Sequence, residues 1–178
     1  MSFVGVYNDL DVGNVTNREV TGLSAATRYY YRVRAYNTVT TSANSSYFSQ
    51  YTCPSAPTAL SATSLTTTSF QANWGAVGGA TGYQLDVSTE NDFATFVSGY
   101  NNVYTTALYR AVSGLNPGTV YYYRVRATNT GGASDNSNTI TATTAFTAPT
   151  ISSATNVTAS SFQANWGSVD GATGYRLD

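Results

Sequence analysis

Apolar and polar residues alternate along most of this chain in runs of about five to nine, and apolar positions nowhere recur at helical spacing. The runs are rich in Val, Thr, Tyr and Phe, which suit a pleated, half-buried surface, while clusters of Gly, Asn, Ser and Pro separate them. The pattern predicts an all-β protein. In the middle of the chain it predicts strands near 59–65, 69–77, 81–88, 95–101, 105–114, 119–130 and 137–144. Seven strands in about 90 residues is the count and spacing of a β-sandwich. Side chains alternate along a strand, so Tyr121, Tyr123, Val125 and Ala127 should face inward, and Tyr122, Arg124 and Arg126 outward.

The pattern also returns. Phe70-Gln71-Ala72-Asn73-Trp74-Gly75 comes round again as Phe162-Gln163-Ala164-Asn165-Trp166-Gly167, and Ala80-Thr81-Gly82-Tyr83 as Ala172-Thr173-Gly174-Tyr175. Tyr29-Tyr30-Tyr31-Arg32-Val33-Arg34-Ala35 recurs as Tyr121-Tyr122-Tyr123-Arg124-Val125-Arg126-Ala127. All three blocks share one offset of 92 residues. Pro54, Ser55 and Pro57 read as an interdomain linker, and Thr147-Ala148-Pro149-Thr150 stands one period later. One complete repeat therefore spans residues 55–147. Residues 1–54 match only the second half of a repeat, strands four to seven, with Phe3-Val4 aligned on Phe96-Val97. Residues 148–178 match only the first half, strands one to three, with Asp178 as the counterpart of Asp86. The expected organisation is one complete sandwich flanked by two complementary halves.

Trp74 in the second strand, Tyr83-Gln84-Leu85 in the third, and Leu115-Asn116-Pro117-Gly118-Thr119-Val120-Tyr121 leading into the sixth give the sequence its resemblance to the fibronectin type III family. The last stretch resembles that family's tyrosine corner, in which the Tyr121 hydroxyl would bond to an upstream backbone group. In the leading segment Leu23-Ser24-Ala25-Ala26-Thr27-Arg28-Tyr29 has Ala where Pro117 and Gly118 stand, which should leave its turn less rigidly set. The resemblance implies an immunoglobulin-like seven-strand sandwich with a core of Trp74, Tyr83, Leu85, Leu115, Tyr121, Tyr123 and Val125. In the flanking segments the corresponding core residues are Leu23, Tyr29, Tyr31 and Val33, and Trp166, Tyr175 and Leu177. The wording of Asp9-Leu10-Asp11-Val12-Gly13-Asn14-Val15-Thr16 and of Thr119 to Ala127 is similar to copies in secreted bacterial multidomain proteins.

Composition then narrows the chemistry. Of 178 residues 42% are apolar and 10% charged, with eight basic residues, nine acidic ones and no His. All eight basic residues are Arg, so the chain has neither His as general base or metal ligand nor Lys as Schiff-base or phosphate-binding amine. Enzymatic function and a bound cofactor or metal are not expected. Acidic residues balance the arginines, which argues against nucleic acid as partner. No run of about 18 apolar residues occurs, so no membrane span is expected. Cys53 is the single cysteine and reads as a linker thiol, with a cross-link between chains as its sharper reading.

Two acidic clusters, Glu90-Asn91-Asp92 and Asp9 with Asp11, are weak candidates for Ca²⁺; neither fits a calcium-loop pattern, and solvated turns explain them better. Asn14, Asn44 and Asn156 stand in glycosylation sequons, which arise easily by chance in so Thr- and Asn-rich a chain. The loop Asn129-Thr130-Gly131-Gly132-Ala133-Ser134-Asp135-Asn136 carries no Arg-Gly-Asp. Asp86 should face outward and pair across strands with Arg124 or Arg126, an exposed contact worth at most about 1 kcal/mol. The face around Tyr30, Arg32, Arg34 and Tyr36 is a candidate for glycan or protein contact.

In the sheet order that the resemblance implies, each flanking half would leave its apolar face open until strands from elsewhere completed it. The expected partners are copies of the chain itself or covalent neighbouring repeats, met head to tail, with Asp178 reaching Arg32 or Arg34 of the next unit. These features predict a structural repeat of an extracellular or cell-surface filament or stalk. The alternative is a spacer or carbohydrate-contacting region of a secreted polysaccharide-degrading enzyme.

Overall fold

The computed structural model describes residues 4–178; Phe3, aligned above with Phe96, lies outside them. The described residues form twelve strands and no helix. In the leading segment β1 (Arg28–Tyr31) and β2 (Phe48–Tyr51) pair antiparallel. The central segment contains β3 (Ala59–Thr63), β4 (Ser69–Trp74), β5 (Gly82–Ser88), β6 (Val103–Thr105), β7 (Tyr109–Ser113), β8 (Val120–Asn129), β9 (Gly132–Ala133) and β10 (Ile140–Thr143). β11 (Ile151–Thr155) and β12 (Gln163–Trp166) follow in the trailing segment.

The central strands make two sheets, one ordered β3-β4-β7 and the other β10-β8-β5-β6, with β9 turning back along β8. Apolar residues from the facing sides interleave. Phe70, Ala72 and Trp74 of β4 meet Tyr83, Leu85 and Val87 of β5 and Tyr121, Tyr123, Val125 and Ala127 of β8 in one buried cluster. The period-two alternation of β8 places every second residue in that core and leaves Tyr122, Arg124 and Arg126 half-buried on the opposite side. Rings set the spacing: Phe70 stacks on Tyr123 at 5.8 Å, and Trp74 tilts against Tyr83 at 5.8 Å.

Local devices repeat with the sequence. The β3–β4 pair shifts register between Leu60 and Thr63, and the β11–β12 pair does so between Ser152 and Thr155. In each case an asparagine side chain spans the irregularity. Asn73 Nδ2 donates to Ser61 O at 3.0 Å and Thr63 Oγ1 at 3.1 Å, and Asn165 Nδ2 donates to Ser153 O at 2.9 Å and Thr155 Oγ1 at 3.1 Å. The Tyr121 hydroxyl accepts the Asn116 N–H at 2.9 Å, and the Tyr29 hydroxyl accepts the Ser24 N–H at 2.9 Å. Ala26 holds the left-handed φ of 49° where Gly118 has 61°, so the leading turn keeps its shape without Pro and Gly.

Several predicted strands do not form. Residues 95–101 are irregular, because Gly99 takes φ 81° and Asn102 takes φ 57°; only isolated bonds tie them to β5, from Val97 N to Val87 O and from Val87 N to Tyr100 O. The fourth strand is instead β6, and the run predicted at 105–114 breaks after Thr105. In the leading segment only the counterparts of the last two strands form, and in the trailing segment residues 173–178 are not a strand. A β ladder needs a neighbour on at least one edge, and neither stretch has one.

Candidate functional site

The feature that distinguishes the flanking segments is the exposure of side chains that the central domain buries. Tyr123 is 0% exposed and its counterpart Tyr31 is 59%; Trp74 is 2% and Trp166 is 37%. Leu85 against Leu177 runs from 0% to 68%, and Val125 against Val33 from 0% to 66%. Leu23 and Tyr29 are half-buried, and Tyr175 is exposed beside Trp166, whose ring lies 5.8 Å away. Among the described residues Tyr31 has Phe48 as its one ring partner, at 5.7 Å. Both segments thus carry an open apolar sheet face. Leu115, Tyr83 and Tyr121 are buried in the central core.

Asp86 departs from expectation. It lies on the outer side of β5, yet it is 1% exposed. The cause is the irregular 89–102 segment, which folds across that side. Asn102 N donates to Asp86 Oδ1 at 2.7 Å, and Arg124 and Arg126 reach Oδ2 at 3.2 Å each. Arg126 also donates to Asn102 Oδ1. Phe93, buried and absent from the predicted core, packs its ring 4.0 Å from the Arg124 guanidinium. A surface pair is therefore a covered network, roofed by a residue whose loop position gave no periodic signal.

The arginines of the leading segment find different partners. Arg34, the counterpart of Arg126, pairs with Asp9, and the Tyr36 hydroxyl donates to Asp11 Oδ2 at 2.6 Å. That hydrogen bond, with a second from Gly13 N, holds the Asp11 carboxyl below its usual range and pushes the Tyr36 phenol up. The two acids thus serve as local hydrogen-bond acceptors. Among the described residues Arg32 makes no ion pair, and Asp178 is exposed without one. On the outer face of the β1–β2 ribbon, the face that alternation also gives Arg32 and Arg34, Arg28 sits over Tyr30 at 5.1 Å and Tyr51 at 5.8 Å, with Tyr47 edge-on to Tyr30.

Among the described residues no three His, Cys, Asp or Glu side chains gather as a metal-holding group. Glu90 instead accepts from Thr95 N–H and Oγ1 through Oε2, and Asp92 Oδ1 accepts the Ala94 N–H. No helix there is long and apolar enough to cross a membrane.

Residues 55–143 match the sequence profile of the fibronectin type III domain. Over 176 aligned residues the chain is 31% identical to chitinase A1 of Niallia circulans, which covers 90% of this chain and 23% of that enzyme. The chain thus spans less than a quarter of that relative's length. Among solved structures, the FN1–FN3 domains of chicken CNTN1 are 21% identical at a TM-score of 0.46, covering 72% of this chain and 46% of theirs. A stretch of titin domains is 19% identical at a TM-score of 0.46, covering 70% of this chain and 43% of its own.

Proposed function

We propose that this chain, which belongs to the fibronectin type III family, works as a non-enzymatic structural repeat of an extracellular or cell-surface filament or stalk. The observation that carries the reading is the pairing of two open faces with one closed example of how they fit. In the central domain Phe70 stacks on Tyr123, and the Tyr123 hydroxyl donates to Leu60 O. One period away the same groups are Phe162, Tyr31 and Ser152, all exposed. Residues 151–178 of one unit laid on residues 28–51 of another would repeat those contacts and bring Asp178 to Arg32 and Arg34. Neighbouring repeats of a longer array would supply the same strands covalently. Each of Phe162, Trp166, Leu177, Tyr31 and Val33 contributes about 1.5–3 kcal/mol when buried.

The test is light scattering and electron microscopy of the purified chain across concentration. Growth into oligomers of 18.8-kDa subunits, abolished by Val33→Asp or Leu177→Asp, supports completion between copies. A monodisperse monomer at every concentration refutes it.

The match to a chitinase favours a second reading, a spacer or carbohydrate-contacting region within a secreted polysaccharide-degrading enzyme. Binding to insoluble chitin that Tyr30→Ala and Tyr47→Ala abolish would favour it over the filament.

A further inference from the structure

Two contacts between consecutive segments lie 92 residues apart and use corresponding positions. At the first, the turn at Ala26 meets the turn at Gly79; a Cβ on Gly79 would stand 2.5 Å from Ala26 Cβ. At the second, Gly118 meets Gly171; a Cβ on Gly171 would stand 3.5 Å from Gly118 O, and one on Gly118 would stand 3.3 Å from Asp170 O. All four residues have left-handed backbone, with φ of 49°, 72°, 61° and 77°. Phe146 lies against both turns of the second junction, and its counterpart at the first is the buried Pro54. Pro54 follows Cys53, whose carbonyl accepts the Ala26 N–H at 2.9 Å as the Ala145 carbonyl accepts the Gly118 N–H at 3.1 Å. In the sequence the larger linker side chain goes with the smaller turn residue: Pro54 with Ala26, Phe146 with Gly118.

The first junction has a further clasp. Asn129 Nδ2 donates to Thr52 O at 3.0 Å, and Cys53 Sγ lies 3.5 Å from Gly131 O. A Cβ on Gly131 would stand 2.5 Å from Tyr51 O and 2.8 Å from Thr52 O, both backbone atoms that cannot rotate away. Gly131 does not have a positive φ, so close approach of the linker is what its missing side chain permits. In the leading segment the counterpart is Val39, 88% exposed.

We propose that consecutive repeats dock through this turn-on-turn surface, each repeat being the partner of the next, so that the linker is a closed joint of fixed orientation. Gly131 and Asn129 hold it shut at the first junction. Two rigid contacts that share one period give every repeat the same rotation relative to its neighbour, and an array built this way is a stiff rod rather than a flexible string. The joint concerns the orientation of repeats within one chain and is independent of whether separate copies complete each other.

Cys53 reports on the joint, since its thiol is half-buried against Gly131. The experiment measures its alkylation rate in the full chain, native and in urea. A closed joint predicts a native rate at least about tenfold below the unfolded one, a protection that reads local opening. Gly131→Ala and, separately, Asn129→Ala should raise the native rate about fivefold or more while the central domain keeps its unfolding midpoint. Gly78→Ala, where an added Cβ meets nothing within 4 Å, should leave it unchanged. Equal native and unfolded rates, or Gly131→Ala and Asn129→Ala proteins that label no faster than the parent, would overturn the proposal.

Discussion

Replacing Asp86 by Asn separates two physical pictures of the same ion pair. If the carboxylate were solvated, as strand alternation alone suggests, its loss would cost about 1 kcal/mol or less. In the fold it is covered, accepting one backbone N–H and two guanidinium contacts. Asn keeps an acceptor for the Asn102 amide but removes the charge and turns N–H groups toward two cations. Breaking one side of a buried pair costs about 3–5 kcal/mol. Arg124 and Arg126 keep 23% and 25% of their side-chain surface in water, which relieves part of that penalty. A loss of about 2–4 kcal/mol is the expected result, lowering the unfolding temperature of a domain of this size by about 10–25 °C. Urea unfolding followed through the fluorescence of buried Trp74 measures it, with exposed Asp135→Asn as a control expected within about 0.5 kcal/mol of the parent. A cost below about 1 kcal/mol for Asp86→Asn would show that solvent reaches the network and that the 89–102 segment does not cover it.

Two further substitutions test the core. Tyr121→Phe deletes the acceptor for Asn116 N–H and should cost about 1–2 kcal/mol in urea unfolding with the fold retained; a neutral result would remove the corner from the list of stabilising contacts. Burial pushes the Tyr123 phenol above its ordinary 10.0. A value raised by folding gives stability that is complete below the unfolded value and lost as pH climbs through the folded one. Urea midpoints measured from about pH 8 to 12 should hold steady and then fall above about 10, and Tyr123→Phe should flatten that fall; an unchanged alkaline slope in the variant would place the cause elsewhere.

Much of the central domain was legible because its signals are periodic. The alternation in 120–129 fixed which tyrosines enter the core, and Trp74 and Tyr83 carried the family resemblance before any contact was visible. Where the expectation failed, the determining contact was non-local. Residues 95–101 alternate well enough to suggest a strand, but left-handed Gly99 and Asn102 bend them over β5. Phe93 gives no periodic signal, and its role depends on Arg124, far along the chain. The glycines at the junctions were likewise opaque: Gly131 reads as one more loop residue until the linker is seen to cross it.

The chain also contains its own control for what local sequence decides. Gly82-Tyr83-Gln84-Leu85-Asp86 and Gly174-Tyr175-Arg176-Leu177-Asp178 differ at one position, yet the first is a central strand and the second is not a strand. Local interactions survive in both: Tyr83 accepts the Val77 N–H at 3.0 Å, and Tyr175 accepts the Val169 N–H at 2.7 Å. What the second copy lacks is a β8 to pair with, seven residues of ladder in the central domain from Gly82–Thr128 to Ser88–Tyr122. Turn and ring contacts therefore place the segment, and the ladder makes it a strand. A segment so placed has lost part of its conformational freedom before a partner arrives, which lowers the entropy lost when one does. The same logic holds for the leading ribbon, where Ser45 already bonds to the Val33 backbone as Ser137 does to Val125. Both segments thus combine exposed apolar faces with locally preset backbone, and it is on this combination that the proposed role in a chain of repeats depends.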